Sequence, residues 1–356
     1  MFLRNAWYVA AWDHEVSAER PFGRVLLNEP VVLYRTRDGT VVALEDRCCH
    51  RHYPLHRGTI AGDCLECGYH GFTYDATGKC VRVPGQEIVP AGARVRSYPV
   101  VERYRWIWVW MGDPALADPA QICDFRWLDH PAWRAKGAVL HVTANYELII
   151  ENLLDLTHLA FLHRSTIGNL ATAEQAQTRA TRTEDEVSVA RWMIDTPPPP
   201  TYVKAGGFTG NVDRWQFINF VPPAFVRLDV GACGAGAGAR GLKTGAFVAE
   251  GAMPGGIEMR NLNAITPETE RSTHYFWAQA HNFMIDDASV TDLLFEQVKI
   301  AFDQDVVAIE AQQANIDVDP AAPRVDANGD AGQIQAIRLL HRRIASEHDA
   351  ATRRVA

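Results

Sequence analysis

Four cysteines and four histidines crowd into the 24 residues CCHRHYPLHRGTIAGDCLECGYHG, from Cys48 to Gly71. This stretch limits the fold more than any other, because side chains that share a metal must converge on one point. A zinc ribbon needs two Cys-x2-Cys pairs, or one Cys pair and one His pair. Cys64 and Cys67 form one such pair and no second follows. The chain has seven cysteines, an odd number, with four of them clustered. That pattern fits metal binding in a reducing compartment better than a disulfide framework.

A different pairing uses the segment better. Cys48-x-His50 is one arm and Cys67-x2-His70 the other, with sixteen residues between His50 and Cys67. Each arm offers one thiolate and one imidazole, the ligand set of a Rieske 2Fe-2S cluster. A zinc site is the alternative. Cys49, Cys64, Cys80, His52 and His56 read as structural or incidental neighbours.

A second set of polar side chains interrupts an apolar run. YELIIENLLDLTHLAFLH, Tyr146 to His163, reads as a helix on which Asn152, Asp155 and His158 recur every three residues and share a face. His163 then falls about 140° from His158, so both rings reach one metal only if the helix distorts or ends there. Burying such groups costs ~1–3 kcal/mol each unless they are paired or bind metal. One reading is a satisfied polar network in a helical core. The other is a two-His, one-carboxylate Fe(II) site. The carboxylate must come from elsewhere, and the helix LLFEQVKIAFDQDVVAIEAQQ offers Asp303, Asp305 and Glu310. At 100° per residue Asp305 lies within about 60° of Leu294, Val298, Ala301, Phe302 and Ile309. Asp303 falls on the opposite side with Glu296, Lys299 and Glu310. A carboxylate centred on the apolar stripe is the anomalous one, so Asp305 is the expected ligand.

The rest of the chain frames these sites. Residues 1–115 read as strands and turns, and RWIWVWMGDP, with large residues on both faces, reads as a strand buried on both sides. Strand-like segments follow Asp118, then the helices SVTDLLFEQVKIAFDQDVVAIEAQQANI and GQIQAIRLLHRRIASEH. PPPP at 197–200 and the glycine run GACGAGAGARG at 231–241 read as loops, the latter mobile and between strands. A net charge of -8 argues against nucleic acid as partner, since no basic surplus is available to neutralise phosphates. The N-terminus lacks the apolar core of a signal peptide and no later run is long enough to cross a bilayer, which implies a cytoplasmic protein. Candidate substrate contacts on the sheet between Val203 and Phe283 are Asn219, Arg227, Asn261, Asn263, His274 and His281.

Both metal motifs together resemble those of the Rieske non-haem iron oxygenases. The pattern Asp-x2-His-x4-His, here Asp155, His158 and His163, matches the iron motif of that family. Glu310-Ala311-Gln312-Gln313 after Asp305 also matches, and NAWYVA, VPGQ, ERYRWIWVWMGDP and YFWAQAHNF are similar to stretches of the oxygenase components of vanillate O-demethylases. The chain departs from the family in its first arm, where Cys49 stands in place of the usual proline and His52 and His56 are additional.

The resemblance implies an α+β fold: an N-terminal β-rich Rieske domain over 1–115, and a catalytic domain over 116–356 whose central antiparallel sheet is flanked by helices. It implies a homotrimer with a 2Fe-2S cluster and a mononuclear Fe(II), supplied with electrons by an NAD(P)H-dependent reductase, directly or through a ferredoxin. It implies that Asp155 bridges a Rieske histidine of one subunit to an iron-ligand histidine of the next, and Asn152 stands beside it as a further catalytic candidate. The expected reaction is O2-dependent O-demethylation of a methoxylated aromatic acid. The alternatives are a ring-hydroxylating dioxygenase, another dealkylating or hydroxylating oxygenase of this class, and an electron carrier without catalytic iron.

Overall fold

The computed structural model describes residues 1–237 and 256–355. Contacts divide it into two units, Met1–Ile122 with Thr266–Glu270, and Cys123–Ile265 with Arg271–Ala356. Residues 116–122 join the first unit, where the Trp7 indole donates to the Asp118 carbonyl at 2.9 Å. The Thr266 hydroxyl in the same unit donates to the Val9 carbonyl at 2.7 Å.

The first unit holds eleven strands: β1 (Trp7–Trp12), β2 (Phe22–Leu26), β3 (Glu29–Arg35), β4 (Val41–Glu45), β5 (Thr59–Ala61), β6 (Cys64–Glu66), β7 (Thr73–Tyr74), β8 (Cys80–Arg82), β9 (Ser97–Tyr98), β10 (Val100–Arg103) and β11 (Trp106–Trp110). They form three small sheets, ordered β1-β11-β10, β2-β3-β4-β9 and β5-β6-β7-β8. β11 is buried along its whole length on both faces, as its alternation of tryptophan with Ile107 and Val109 requires. Each indole removes roughly 150–250 Å² from water, so this one strand anchors much of the core. The sheet β5-β6-β7-β8 is apolar on one side, where Leu65, Tyr74 and Cys80 pack with Cys48 and Cys67.

The second unit opens with β12 (Arg134–Val142) and α1 (Tyr146–Leu154), followed by α2 (Leu170–Glu174), β13 (Gln177–Arg182), β14 (Val187–Thr196), α3 (Pro200–Gly206), β15 (Val212–Val221), β16 (Phe225–Gly234), β17 (Ile257–Thr269), β18 (Ser272–His281), α4 (Ala288–Val318) and α5 (Ala331–Val355). Its strands make one seven-stranded antiparallel sheet in the order β12-β18-β17-β16-β15-β14-β13. β15 is buried at every position from Val212 to Phe220. Its polar residues Arg214, Gln216 and Asn219 are therefore inside the protein. The α+β architecture is the expected one.

Three local readings change. The helix expected over 146–163 ends at Leu154. Asp155 adopts an extended conformation, and its carboxylate accepts from the Thr157 N–H at 3.0 Å and hydroxyl at 2.7 Å. Such an Asx turn competes with the helical hydrogen bond and stops the helix. Pro200, expected in a loop, is the first residue of α3, where a missing N–H costs nothing. Gly231 and Gly234 belong to β16 rather than to a loop, and Gly231 leaves room for the Trp215 ring, which lies 2.1 Å from where a Cβ would sit. The remainder of that glycine run, from residue 238, lies outside the described residues. Among the described residues no helix is long and apolar enough to cross a membrane.

Candidate metal centres and the adjoining cavity

The two arms of the opening segment fold into the same turn. In the first, the Cys48 N–H donates to the Tyr53 carbonyl at 2.9 Å and the His52 N–H to the Cys48 carbonyl at 2.9 Å. In the second, the Cys67 N–H donates to the Phe72 carbonyl at 2.8 Å and the Gly71 N–H to the Cys67 carbonyl at 3.0 Å. The fifth residue of each turn has positive φ, +56° at His52 and +72° at Gly71. His52 is thus a turn residue occupying the place glycine takes in the second arm. This accounts for the extra histidine without making it a ligand.

The turns sort the four side chains by chemistry. Cys48 and Cys67 are buried, each 2% exposed, while His50 and His70 lie at the surface with ring centroids 4.5 Å apart. His50 stacks on Phe72 at 4.7 Å, and Tyr69 lies against His70. Burial pushes the Cys67 thiol up, and backbone N–H groups of Tyr69 and His70 pull it back by favouring the thiolate. The Tyr74 hydroxyl lies 3.1 Å from Cys48 Sγ and 3.2 Å from Cys49 Sγ. Two inner sulfurs facing two outer imidazoles fit the ligand set of a Rieske cluster, two Cys for one iron and two His for the other. Cys64 is in β6 and Cys80 in β8, where its thiol reaches the Arg82 carbonyl at 3.3 Å. His56 sits behind the first arm, its Nδ1 bonded to the buried Asp46 carboxylate.

The second centre forms where α1 ends. His158 begins a short 3-10 turn, and His163 lies five residues further on. Ending the helix brings the two rings together, with centroids 5.1 Å apart. Asp305 enters from α4, buried on the stripe of Leu294, Val298, Ala301, Phe302 and Ile309. Asp303 is exposed on the far side and pairs with Lys299 at 2.6 Å. One donor atom from each of His158, His163 and Asp305 lies within 4.8 Å of the others.

Hydrogen bonds orient this trio. His158 Nδ1 donates to the Asp155 carbonyl, and His163 Nδ1 donates to Gln304 Oε1 at 2.8 Å. Both rings therefore turn Nε2 inward, with its lone pair available to a metal. His163 Nε2 lies 3.0 Å and His158 Nε2 3.5 Å from Asp305 Oδ1. The Asn152 amide donates to the same oxygen at 3.0 Å. Burial holds His158 below the ordinary histidine range, which keeps it neutral as a ligand must be. Burial also opposes charge on His163, but the Asp305 carboxylate outweighs it and moves that ring upward. Two imidazole nitrogens and one carboxylate on one side, with open positions on the other, suit Fe(II) and O2.

A cavity adjoins the trio. Leu153, Leu156, Leu228, Val230, Met259 and Phe302 give it apolar walls, and Arg214, Gln216, Asn261 and Gln279 line it with polar groups. Of the expected substrate contacts, Asn261 lines this cavity, and Asn263 lies behind it, its Nδ2 2.8 Å from Asn261 Oδ1. The other four are elsewhere. Asn219 bonds Ser188, Arg227 reaches the Asp124 carbonyl, His274 packs on His141, and His281 is held by the Phe283 carbonyl and Thr291. Arg214 and Gln216 escaped the sequence reading. They alternate along VDRWQFINF, and the signal was their position in a strand otherwise made of large apolar residues.

Comparison with known proteins agrees with this chemistry. Residues 6–99 match the family model of the Rieske [2Fe-2S] domain, and residues 142–346 that of the vanillate O-demethylase oxygenase C-terminal domain. A Rieske unit joined to a unit with a two-His, one-carboxylate centre makes this chain the terminal oxygenase component of a Rieske non-haem iron monooxygenase system. Its cofactors are a 2Fe-2S cluster and a mononuclear iron. More particularly, the chain belongs to the vanillate O-demethylase oxygenase family. It is 44% identical over 350 residues to the iron-sulfur subunit of the toluene-4-sulfonate monooxygenase system of Comamonas testosteroni, covering 98% of this chain and 99% of that one. It is 38% identical over 357 residues to a vanillate O-demethylase oxygenase subunit of a Pseudomonas species, covering 99% and 97%. The crystal structure of dicamba monooxygenase bound to 3,6-dichlorosalicylic acid matches with a TM-score of 0.88 at 34% identity, covering 98% and 99% of the two chains.

Proposed function

We propose that this oxygenase removes the methyl group from a methoxylated aromatic acid. Cys48, His50, Cys67 and His70 would hold the cluster, and His158, His163 and Asp305 would hold the catalytic iron. The observation that carries the reading is the His158–His163–Asp305 trio beside a largely apolar cavity with a few polar groups on one wall. The demethylase names of relatives such as the vanillate enzyme support the choice of reaction.

When bound, the cluster supplies electrons and the iron activates O2. The chain's own residues do the rest. His158 and His163 turn Nε2 inward through their Nδ1 hydrogen bonds, Asn152 steadies Asp305, and the leucines of the cavity exclude water from the reacting methyl. Overall, one C–H bond of the methoxy group becomes C–OH. The second oxygen atom leaves as water, and NAD(P)H supplies the electron pair through a separate reductase. The resulting hemiacetal breaks its C–O bond to the methyl carbon, releasing formaldehyde and the phenol.

The working unit is a homotrimer. Asp155 would stand between the histidine that would hold the cluster of one subunit and the histidine that would hold the iron of the next, the route by which electrons would cross. Asp155 Oδ1 is taken by Thr157, while Oδ2 has no hydrogen-bond partner among the described residues. It is the oxygen available to a neighbour's histidine.

A second reading is favoured by the 44% identity to the toluene-4-sulfonate enzyme, namely hydroxylation of a methyl carbon attached to the ring itself. A panel of methoxylated and methylated aromatic acids, assayed with a surrogate reductase, separates the two. O-demethylation yields formaldehyde in proportion to the NADH consumed. A benzylic alcohol without formaldehyde selects the second reading, and a cis-diol would select ring dihydroxylation over both.

A further inference from the structure

The hydrogen bonds behind the polar wall of the iron-side cavity run in one direction. Asn263 Nδ2 donates to the Val226 carbonyl at 3.0 Å, which sets the orientation of that amide, and the Tyr275 hydroxyl donates to Asn263 Oδ1 at 2.7 Å. Asn263 Nδ2 also donates to Asn261 Oδ1 at 2.8 Å. Asn261 must then present its own N–H to Gln279, and does so at 3.1 Å. The relay ends at Gln279 Nε2, whose hydrogens have no acceptor among the described residues.

A second relay ends the same way. Arg191 Nη1 donates to Gln216 Oε1 at 3.1 Å. A guanidinium can only donate, so Gln216 must turn its oxygen back toward Arg191 and its N–H groups the other way. Beside it, Arg214 donates to Thr172 Oγ1 at 3.3 Å and to the Ile167 carbonyl at 3.0 Å, while its Nε is buried without a partner among the described residues. Its guanidinium lies over the Tyr202 ring at 4.6 Å.

The charge balance on this wall is as one-sided as its hydrogen bonds. Arg191 and Arg214 are each 3% exposed, and all their hydrogen-bond partners among the described residues are neutral. Burial pushes Arg191 down to about 10, with Asp155 opposing and Arg214 adding to the fall, so it is still charged at neutral pH. Among the described residues the one carboxylate lining the cavity is Asp305, already engaged by His163 and Asn152. A buried guanidinium with neutral partners is costly unless an anion completes it.

We infer that Arg214, Gln216 and Gln279 form an oxyanion receptor that grips the carboxylate or sulfonate of the substrate, with Arg191 holding Gln216 from behind. The inference rests on reading this cavity as the substrate site. It makes Arg214 the specificity-determining residue, selecting an aromatic ring by the acid it carries and holding the opposite end of that ring toward the iron.

The test is binding to the oxidised holoenzyme without turnover, with 4-methoxybenzoate, 4-methoxybenzenesulfonate and the neutral 4-methoxybenzamide as probes. The wild-type protein should bind at least one of the two anions more than tenfold tighter than the amide. The tighter anion names the acid. Arg214→Met should weaken that anion at least tenfold and leave the amide within about threefold. Arg214→Lys should fall between, and in turnover should raise KM far more than it lowers kcat. Gln279→Glu guards against a misfolded arginine variant, because it keeps the acceptor for Asn261 and only turns the terminal donor into a carboxylate. It should abolish the preference for anions and leave amide binding intact. Equal binding of the amide and both anions to the wild type would overturn the receptor, as would an undiminished anion preference in Arg214→Met or Gln279→Glu. Formaldehyde release separates this inference from the proposed reaction. Selective anion binding without formaldehyde leaves the receptor standing and removes the demethylation, whereas equal demethylation of amide and anions does the reverse.

Discussion

Asp305 Oδ1 lies 3.0 Å from His163 Nε2, although 142 residues separate the two in sequence. Asn152 donates to the same oxygen, so three elements of the chain meet at one atom. Asp305→Ala should therefore lose the mononuclear iron and keep the cluster, lowering the iron content from three to two per chain. Asp303→Ala, two residues away but on the exposed face with Lys299, should stay active. Iron analysis with cluster absorbance checks both, and the reverse pattern would disprove the assignment of Asp305.

Cys67→Ser should abolish the Rieske absorbance and electron spin resonance signals. Cys64→Ser and Cys49→Ser should retain them, because Cys64 belongs to β6 and Cys49 replaces only a flanking residue of the first turn. In Cys49→Ser a small shift of the cluster potential is expected, since its thiol shares the Tyr74 hydroxyl with Cys48. A colourless Cys64→Ser protein would sink the ligand set.

Asp155→Asn keeps the side-chain volume and the acceptor for Thr157 but removes the charge. If Asp155 carries electrons between subunits, the variant should retain all three irons and accept electrons at its cluster, yet fail to couple their transfer to product formation. A single turnover of pre-reduced variant at wild-type rate would leave Asp155 as a turn-former only.

Docking of the reductase should be sensitive to salt. Residues 1–115 carry 14 basic and 13 acidic side chains, against 21 and 30 in the remainder. Arg51 and Arg57, near the exposed His50 and His70, are themselves exposed. Turnover under limiting reductase should fall as ionic strength rises, because screening weakens exposed charge pairs. A flat salt profile would place the docking face elsewhere.

Arg260 and Asp229 form an ion pair at 2.8 Å that is almost fully buried, roofed by Trp127 and Trp133. Arg260→Met should destabilise the second unit by about 3–5 kcal/mol, since it removes one member of a buried ion pair and keeps the other. Thermal denaturation of the holoenzyme reads this directly. The double variant Arg260→Met with Asp229→Asn should recover much of the loss, and no recovery would show that packing rather than charge is responsible.

Spacing and periodicity alone were enough to mark the metal-binding side chains as candidates, because chemistry of that kind needs particular residue types at short range. Cys48, His50, Cys67 and His70 stand out by composition, and Asp305 by its phase on an apolar stripe. The strand buried on both faces at Trp106–Trp110 was legible for the same local reason. Tertiary structure decided what depends on long-range contact. The helix carrying Asn152 stops at Leu154 through a local turn, the Asp155 carboxylate on Thr157, but that His158 and His163 then meet Asp305 of a helix 142 residues on is decided by the packing of α4 against this turn. Arg214 and Gln216 look like any alternating polar pair until the seven-stranded sheet buries both faces of β15. Their donors are aimed by partners that are distant in sequence or lie on other strands, Ile167, Thr172 and Arg191. Periodicity along one strand shows which side chains share a face, but which face meets the cavity depends on what packs against it.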